Sequence, residues 1–285
     1  MDEIEKKNLL KQINFSLVLL LFLLVLVAFQ LPKKRLELSF CDVGQGDATL
    51  VSWGSYQMLV DGGPDSSVLS CLGKSMPFWD RKIELVVVTH PQADHMTGMI
   101  EVLKRYEVEN FYMSGVENDI AEVRELKRVM EKFEVTNLEF KAGDGVRLGE
   151  VSLEVLYPIE ITSEVCEIKD INEVSTVLRG SYGKFEFLLT GDIDTKIEDE
   201  LRLTDKLTDV EVLKVAHHGS KTSTSGEFLL AVKPELAVIS VGKNRFGHPT
   251  REVLERLREL GAMIKRTDED GLVRLVSTGE KWWIK

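Results

Sequence analysis

The stretch Thr89-His90-Pro91-Gln92-Ala93-Asp94-His95-Met96-Thr97-Gly98 decides the reading, together with the apolar run IELVVV (83–88) just before it. A run with hydrophobic residues on both faces predicts a central strand. That strand delivers His90 to its C-terminal end. A turn through Pro91 brings Asp94 and His95 back toward the same place. Imidazole and carboxylate together suit zinc, manganese or iron. Helix capping would account for Asp94, but a cap does not require two imidazoles. Gly98 lets the following helix pack closely.

Outward from this stretch, the other histidines lie in similar places. All five stand at predicted strand or loop ends beside Gly, Pro or Asp. Ligand pockets form where such loops converge. LLTGD (188–192) ends an apolar strand in Gly191-Asp192. Gly-Asp alone is a common turn, but in this company Asp192 is placed to bridge two cations. Asp61 in VDGG (60–63) reads as a turn residue or as a group that orients a ligand. VLKVAHHGSKTS (212–223) carries His217 and His218 at a strand end, where adjacent side chains point opposite ways. One can bind metal while the other faces substrate or moves protons. Ser220, Lys221 and Thr222 can hold a phosphate, and Lys221 reads equally as a surface lysine. His248 sits in RFGHPT (245–250).

Strands are predicted at 36–40, 48–53, 56–60, 83–89, 108–112, 151–157, 173–179, 185–190, 211–216, 236–241, 263–265, 272–277 and 281–284. Helices are predicted at 96–106, 120–134, 194–203, 227–232 and 251–260. Each half runs strands first, then strands alternating with helices. Two packed sheets with helices outside fit this order. Cys41, Cys71 and Cys166 show no C-x-x-C spacing. No zinc knuckle or disulfide framework is expected, and all three read as small buried residues.

FSLVLLLFLLVLVAFQL (15–31) is uncharged and close to a bilayer's hydrocarbon thickness in length. Lys33, Lys34 and Arg35 follow it, and the residues before Phe29 make a poor signal-cleavage site. An uncleaved anchor (1–35) is expected, followed by one domain (36–285). Lysines on both sides of the span leave its orientation open. The chain carries a net charge of −11. Residues 1–35 hold six Lys or Arg and three Asp or Glu, which leaves 30 basic and 44 acidic side chains, a balance of −14, in the domain. That excludes a general nucleic-acid binder, whose affinity rests on Lys and Arg.

The motifs DVGQGDA (42–48), VDGG, THPQADHMTG, LLTGD, AHHGSKTS, SVGKNRFGHP (240–249) and RTDEDG (266–271) occur in this order. Together they resemble the metallo-β-lactamase superfamily, and within it the extracellular hydrolase domains of ComEC-type DNA-uptake (competence) proteins. The resemblance runs from about Leu36 to the C-terminus. It implies a four-layer αββα sandwich with two divalent metal ions, Zn²⁺ or Mn²⁺, at the sheet edges. It implies His90, Asp94, His95, Asp192, His218 and His248 as ligands, with Asp192 between the ions. Asp94 and His217 become the proton-moving groups. Asp47, Asp61, Gln92, Ser220, Lys221 and Asn244 become supporting or substrate-facing residues. The superfamily pattern H-x-H-x-D-H has Gln92 at its middle position here. A site poorer in nitrogen shifts preference toward Mn²⁺.

The expected function is hydrolysis of a phosphodiester, such as single-stranded DNA, at the membrane and outside the cytoplasm. Alternatives are hydrolysis of a phosphocholine-like or other cell-envelope ester, and a degenerate domain that binds metal or a partner. A multi-span channel is not expected of this chain, so it is not expected to carry DNA across a membrane by itself.

Overall fold

The computed structural model describes residues 3–30, 33–114, 116, 118–138, 140–158 and 170–285. The chain divides into two units, Met1–Lys33 and Lys34–Lys285. The first is a single helix, α1 (Glu3–Gln30). Its segment Glu3–Val25 is long and apolar enough to cross a membrane, with an 18-residue window of mean hydropathy 1.9. From Phe15 to Val25 apolar side chains face every direction, as a lipid environment accommodates.

The second unit opens with β1 (Leu36–Phe40), β2 (Thr49–Trp53), β3 (Tyr56–Val60), β4 (Lys82–Val88), β5 (Glu107–Met113) and β6 (Asn137–Leu138). Then come β7 (Gly145–Leu148), β8 (Val151–Tyr157), β9 (Val177–Tyr182), β10 (Phe185–Leu189), β11 (Val212–Lys214), β12 (Leu236–Ile239) and β13 (Met263–Arg266). β14 (Val273–Ser277) and β15 (Trp282–Ile284) finish the chain. One sheet has the order β15-β14-β1-β2-β3-β4-β5-β6, the other β13-β12-β11-β10-β9-β8-β7. The last two strands thus return to the first sheet, beside β1.

Three apolar clusters define four layers. Leu38, Phe40, Met58, Tyr112, Phe187 and Leu275 belong to the cluster between the sheets. A second cluster lies under the helices Val68–Ser75 and Ala121–Lys132. A third lies under Thr195–Arg202, Gly226–Val232 and Arg251–Leu260. β4 serves two of them: Val86 and Val88 face the helices, while Leu85 and Val87 face the other sheet. The predicted central strand is therefore buried on both faces, in an αββα arrangement.

Several local expectations change. The helix Val68–Ser75 and the strands β6 and β7 were not predicted; all are short, and the helix reads VLSCLGKS, with small and polar residues interrupting any stripe. The predicted helix at 96–106 is two short helices, Ala93–Met96 and Met99–Leu103. The predicted strand at 173–179 begins only at Val177, because Ile171–Val174 forms a 3₁₀ turn with Asp170 accepting from the Asn172 N–H. Cys41 and Cys71 are not independent buried thiols but form a disulfide, with Cα atoms 5.6 Å apart and a sequence separation of 30. The bridge ties the end of β1 to the unpredicted helix, and so no short sequence spacing announced it. Closing a loop of that length contributes about 3–4 kcal/mol in the chain-entropy account. Cys166 lies outside the described residues.

Candidate metal centre

Parallel strands β4, β10, β11 and β12 end on the same side of the sandwich, and the candidate residues follow those ends. His90 leaves β4, Asp192 leaves β10, and His217 and His218 follow β11. His90, His95, Asp192 and His218 are all buried. Asp192 Oδ2 lies 3.3 Å from Nε2 of His95 and 3.3 Å from Nε2 of His218. Asp94 Oδ2 lies 3.5 Å from Nε2 of His218. His90 stacks near His95 with ring centroids 4.1 Å apart. Within this cluster, His90, His95 and Asp192 form one close group, and Asp94, His95 and His218 another.

Each inner imidazole is held from behind. His95 Nδ1 contacts Asp61 Oδ2 at 2.9 Å, and Thr89 donates to both Asp61 oxygens at 2.8 Å through its N–H and its hydroxyl. His218 Nδ1 lies 2.9 Å from the Ser240 carbonyl. Nδ1 is thus engaged in both rings, and Nε2 faces the cluster. Such backing fixes the orientation and tautomer of a ligating imidazole. The Nε2 atoms of His90, His95 and His218 are buried without a hydrogen-bond partner. Three buried ring nitrogens without a hydrogen-bond partner, beside two carboxylates, are groups that a divalent ion would satisfy. The donor set fits a divalent metal ion.

Asp47 and Lys214 lie behind the cluster. Asp47 stands 3.8 Å from Nδ1 of His95 and 3.5 Å from Nδ1 of His218. Its backbone N–H donates to the Asp94 carbonyl. Gly46 turns the chain there; a Cβ on it would meet the Asp94 carbonyl oxygen at 2.2 Å. The Lys214 ammonium is buried against Asp47, donates to the Gly191 carbonyl at 2.9 Å and lies 3.5 Å from Asp192 Oδ1. Sequence reading missed Lys214. Its signal was a lysine at the end of an otherwise apolar strand, VLKVA.

The electrostatics follow from burial and these neighbours. Burial opposes charge on His95, yet Asp192 and Asp61 hold it well above the usual imidazole range. Burial likewise opposes charge on His218, which Asp192 and Asp47 raise. On His90, burial together with His95 outweighs Asp192 and Asp94 and pushes it down to about 3. Burial pushes Asp61 up. Asp192 is held well below the carboxylate range, against its burial, by His218, His95 and Lys214.

His217 and His218 do not continue a strand. β11 ends at Lys214, and both histidines adopt left-handed backbone, with φ of 48° and 54°. That conformation costs an L-residue roughly 1–2 kcal/mol and marks a site where the surroundings dictate geometry. The expected division still results: His218 points inward, while His217 is 27% exposed with Nε2 4.0 Å from Asp192 Oδ2. His248 stands further out, its ring 5.6 Å from that of His217, and joins no close His–Asp group among the described residues. Asn244 positions its loop, accepting from the His248 N–H at 3.1 Å and donating to its carbonyl at 2.8 Å. Ser220 bonds Thr222 at 3.0 Å, and Lys221 is exposed. Gln92 lies against His90.

No family model matches the chain. It is 28% identical to ComE operon protein 3 of Bacillus subtilis, over 95% of this chain and 37% of that protein. It is 32% identical to competence protein ComA of Neisseria gonorrhoeae, over 85% of this chain and 32% of that protein. The chain thus spans about a third of the length of the curated relatives it matches. Among solved structures, the metallo-β-lactamase fold protein YhfI of Bacillus subtilis superimposes with a TM-score of 0.56 at 13% identity, over 84% of this chain and 99% of that one. Two sheets flanked by helices, a His–Asp cluster at their common edge and this sequence similarity agree: the chain has the metallo-β-lactamase fold and is a homologue of competence proteins.

Proposed function

We propose that this chain is a divalent-metal-dependent phosphodiesterase that acts on DNA strands at the outer face of a membrane. The observation that carries the reading is that three buried Nε2 atoms without a hydrogen-bond partner, those of His90, His95 and His218, lie around Asp192. His90, His95 and Asp192 would supply ligands for one ion, and Asp94, His95 and His218 for the other. Such ions supply a nucleophile from water at neutral pH and neutralise phosphate charge. The chain's own groups do the rest. Asp61 and the Ser240 carbonyl orient His95 and His218. Lys214 holds Asp47 and Asp192 in place. His217 and Asp94, at the rim, are placed to move protons. The competence relatives support a DNA substrate. The Cys41–Cys71 bridge supports an oxidising compartment, and so a domain outside the cytoplasm.

The acidic balance of the domain favours a second reading, hydrolysis of a small phosphate ester of the cell envelope, which needs no polycationic groove. One experiment separates these and the degenerate-domain alternative. The full chain in detergent is assayed for bound metal, then for hydrolysis of single-stranded DNA and of a phosphocholine ester with Mn²⁺, Zn²⁺ or Mg²⁺. Metal-dependent cleavage of DNA is expected. Cleavage of the ester alone would favour the second reading, and bound metal without hydrolysis of either would leave a binding domain.

A further inference from the structure

The metal centre occupies one end of the sandwich, and the opposite end carries the domain's exposed aromatic surface. Strand register identifies that end. Leu36, the first residue of β1, pairs with Trp53 and Ser277. Trp53 pairs with Tyr56, and β4 runs parallel to β3 with Leu85 level with Met58. The starts of β1, β3 and β4 therefore lie together, a full strand length from His90.

Large apolar side chains are exposed here. Phe78 is 70% exposed and Trp79 41%, in the segment just before β4, with ring centroids 4.9 Å apart in an edge-to-face pair. Tyr56, at the start of β3, is also exposed. Met263 is exposed at the start of β13, which is level with the start of β12 at the same end of the second sheet. Lys74 and Arg81, both exposed, flank the aromatic pair. At the metal end Phe246 is exposed among the described residues.

The chain enters the domain at the aromatic end. α1 stops at Gln30 and β1 starts at Leu36. At about 3.5 Å per residue, the connection spans no more than about 20 Å. Whatever the angle between the two units, the start of β1 stays within that distance of the end of a membrane-crossing helix. Trp and Tyr are favoured at the headgroup level, where an apolar ring and a polar edge are both satisfied, and basic side chains meet phosphates there. Net charge works against attraction to an anionic surface, because the domain's balance is −14. The contact must therefore rest on the aromatic side chains and their local lysine and arginine.

We propose that this end of the domain, centred on Phe78 and Trp79, docks on the headgroup layer of the membrane that α1 crosses. The metal centre then faces away from the bilayer, toward substrate arriving from the aqueous side. This inference rests on α1 being an anchor, and its test separates the two. The full chain is reconstituted into phosphatidylcholine–phosphatidylglycerol vesicles, with or without phosphatidylcholine brominated on its acyl chains. α1 contains no tryptophan, so quenching by bromine reports the domain alone. Brominated lipid should quench part of the emission, and Trp79→Phe should remove that part. Phe78→Ser should reduce it, with melting measured to show that both variants fold. A chain that fails to float with vesicles at alkaline pH overturns the anchor and the docking together. A chain that floats but is unquenched, or is quenched equally in Trp79→Phe, overturns the docking alone. So does Trp79 shielded from aqueous acrylamide yet indifferent to bromine, which would place a protein on this end instead.

Discussion

At Asp192 the two carboxylate oxygens meet different partners. Oδ2 faces Nε2 of His95 and of His218, each at 3.3 Å, while Oδ1 lies 3.5 Å from the Lys214 ammonium. Asp192→Asn keeps the shape, and its backbone N–H still donates to the Ser175 hydroxyl. What it loses is the negative charge opposite two imidazoles and an ammonium. Bound metal and phosphodiesterase rate should both fall by more than the roughly 10–100-fold that follows loss of a group merely orienting a ligand. Melting temperature of the metal-free protein should hold, since Lys214 retains Asp47 and the Gly191 carbonyl. Unchanged metal content and rate in this variant would reduce Asp192 to a turn residue, for which Asn is a good replacement.

At the scale of elements, the site depends on two loops pressed together. The Gly62 N–H donates to the His95 carbonyl at 2.6 Å, and the Gly98 N–H to the Gly63 carbonyl at 3.0 Å. This places Asp61 behind His95. A Cβ on Gly98 would meet the Gly62 carbonyl oxygen at 1.9 Å, and backbone cannot swing aside as a side-chain tip can. Gly98→Ala should therefore part the two short helices Ala93–Met96 and Met99–Leu103 from the VDGG loop. The expected loss of stability is about 1–3 kcal/mol, as for overpacking. Metal affinity should fall with it, because Asp61 would no longer hold His95. Thermal melting and metal titration of the variant check both, and normal affinity would show that the loop contact does not position the ligand.

At the scale of the whole molecule, an apolar helix and an acidic domain follow one another in a single chain. Glu3–Val25 carries the hydropathy of a membrane span. The full protein should fractionate with membranes and resist extraction by salt and by alkali, because the transfer of so much apolar surface to lipid outweighs any screening of charge. Recovery of a soluble form beginning near Gln30 would show a cleaved signal instead. In that case the anchor is lost, and the fold of Lys34–Lys285, with its own three apolar clusters, is left standing.

Sequence alone determined what depends on local pattern. The both-faces-apolar run before His90 specified a central strand, and the uncharged stretch from Phe15 specified a helix long and apolar enough to cross a membrane. Asp94, His95, Asp192 and His218 stood out as candidates because polar metal-binding types lie where apolar strands stop, and the fold brings them together. Tertiary structure decided what depends on distance through space. It joined Cys41 to Cys71 and put Asp61 rather than solvent behind His95. It buried Lys214 against Asp47 and Asp192, which lie far from it in sequence or across a sheet edge. It also turned His217 and His218 through a left-handed bend and left His248 beyond the close groups. Periodicity reports which face of an element is buried, but not which loop from another sheet will meet it there.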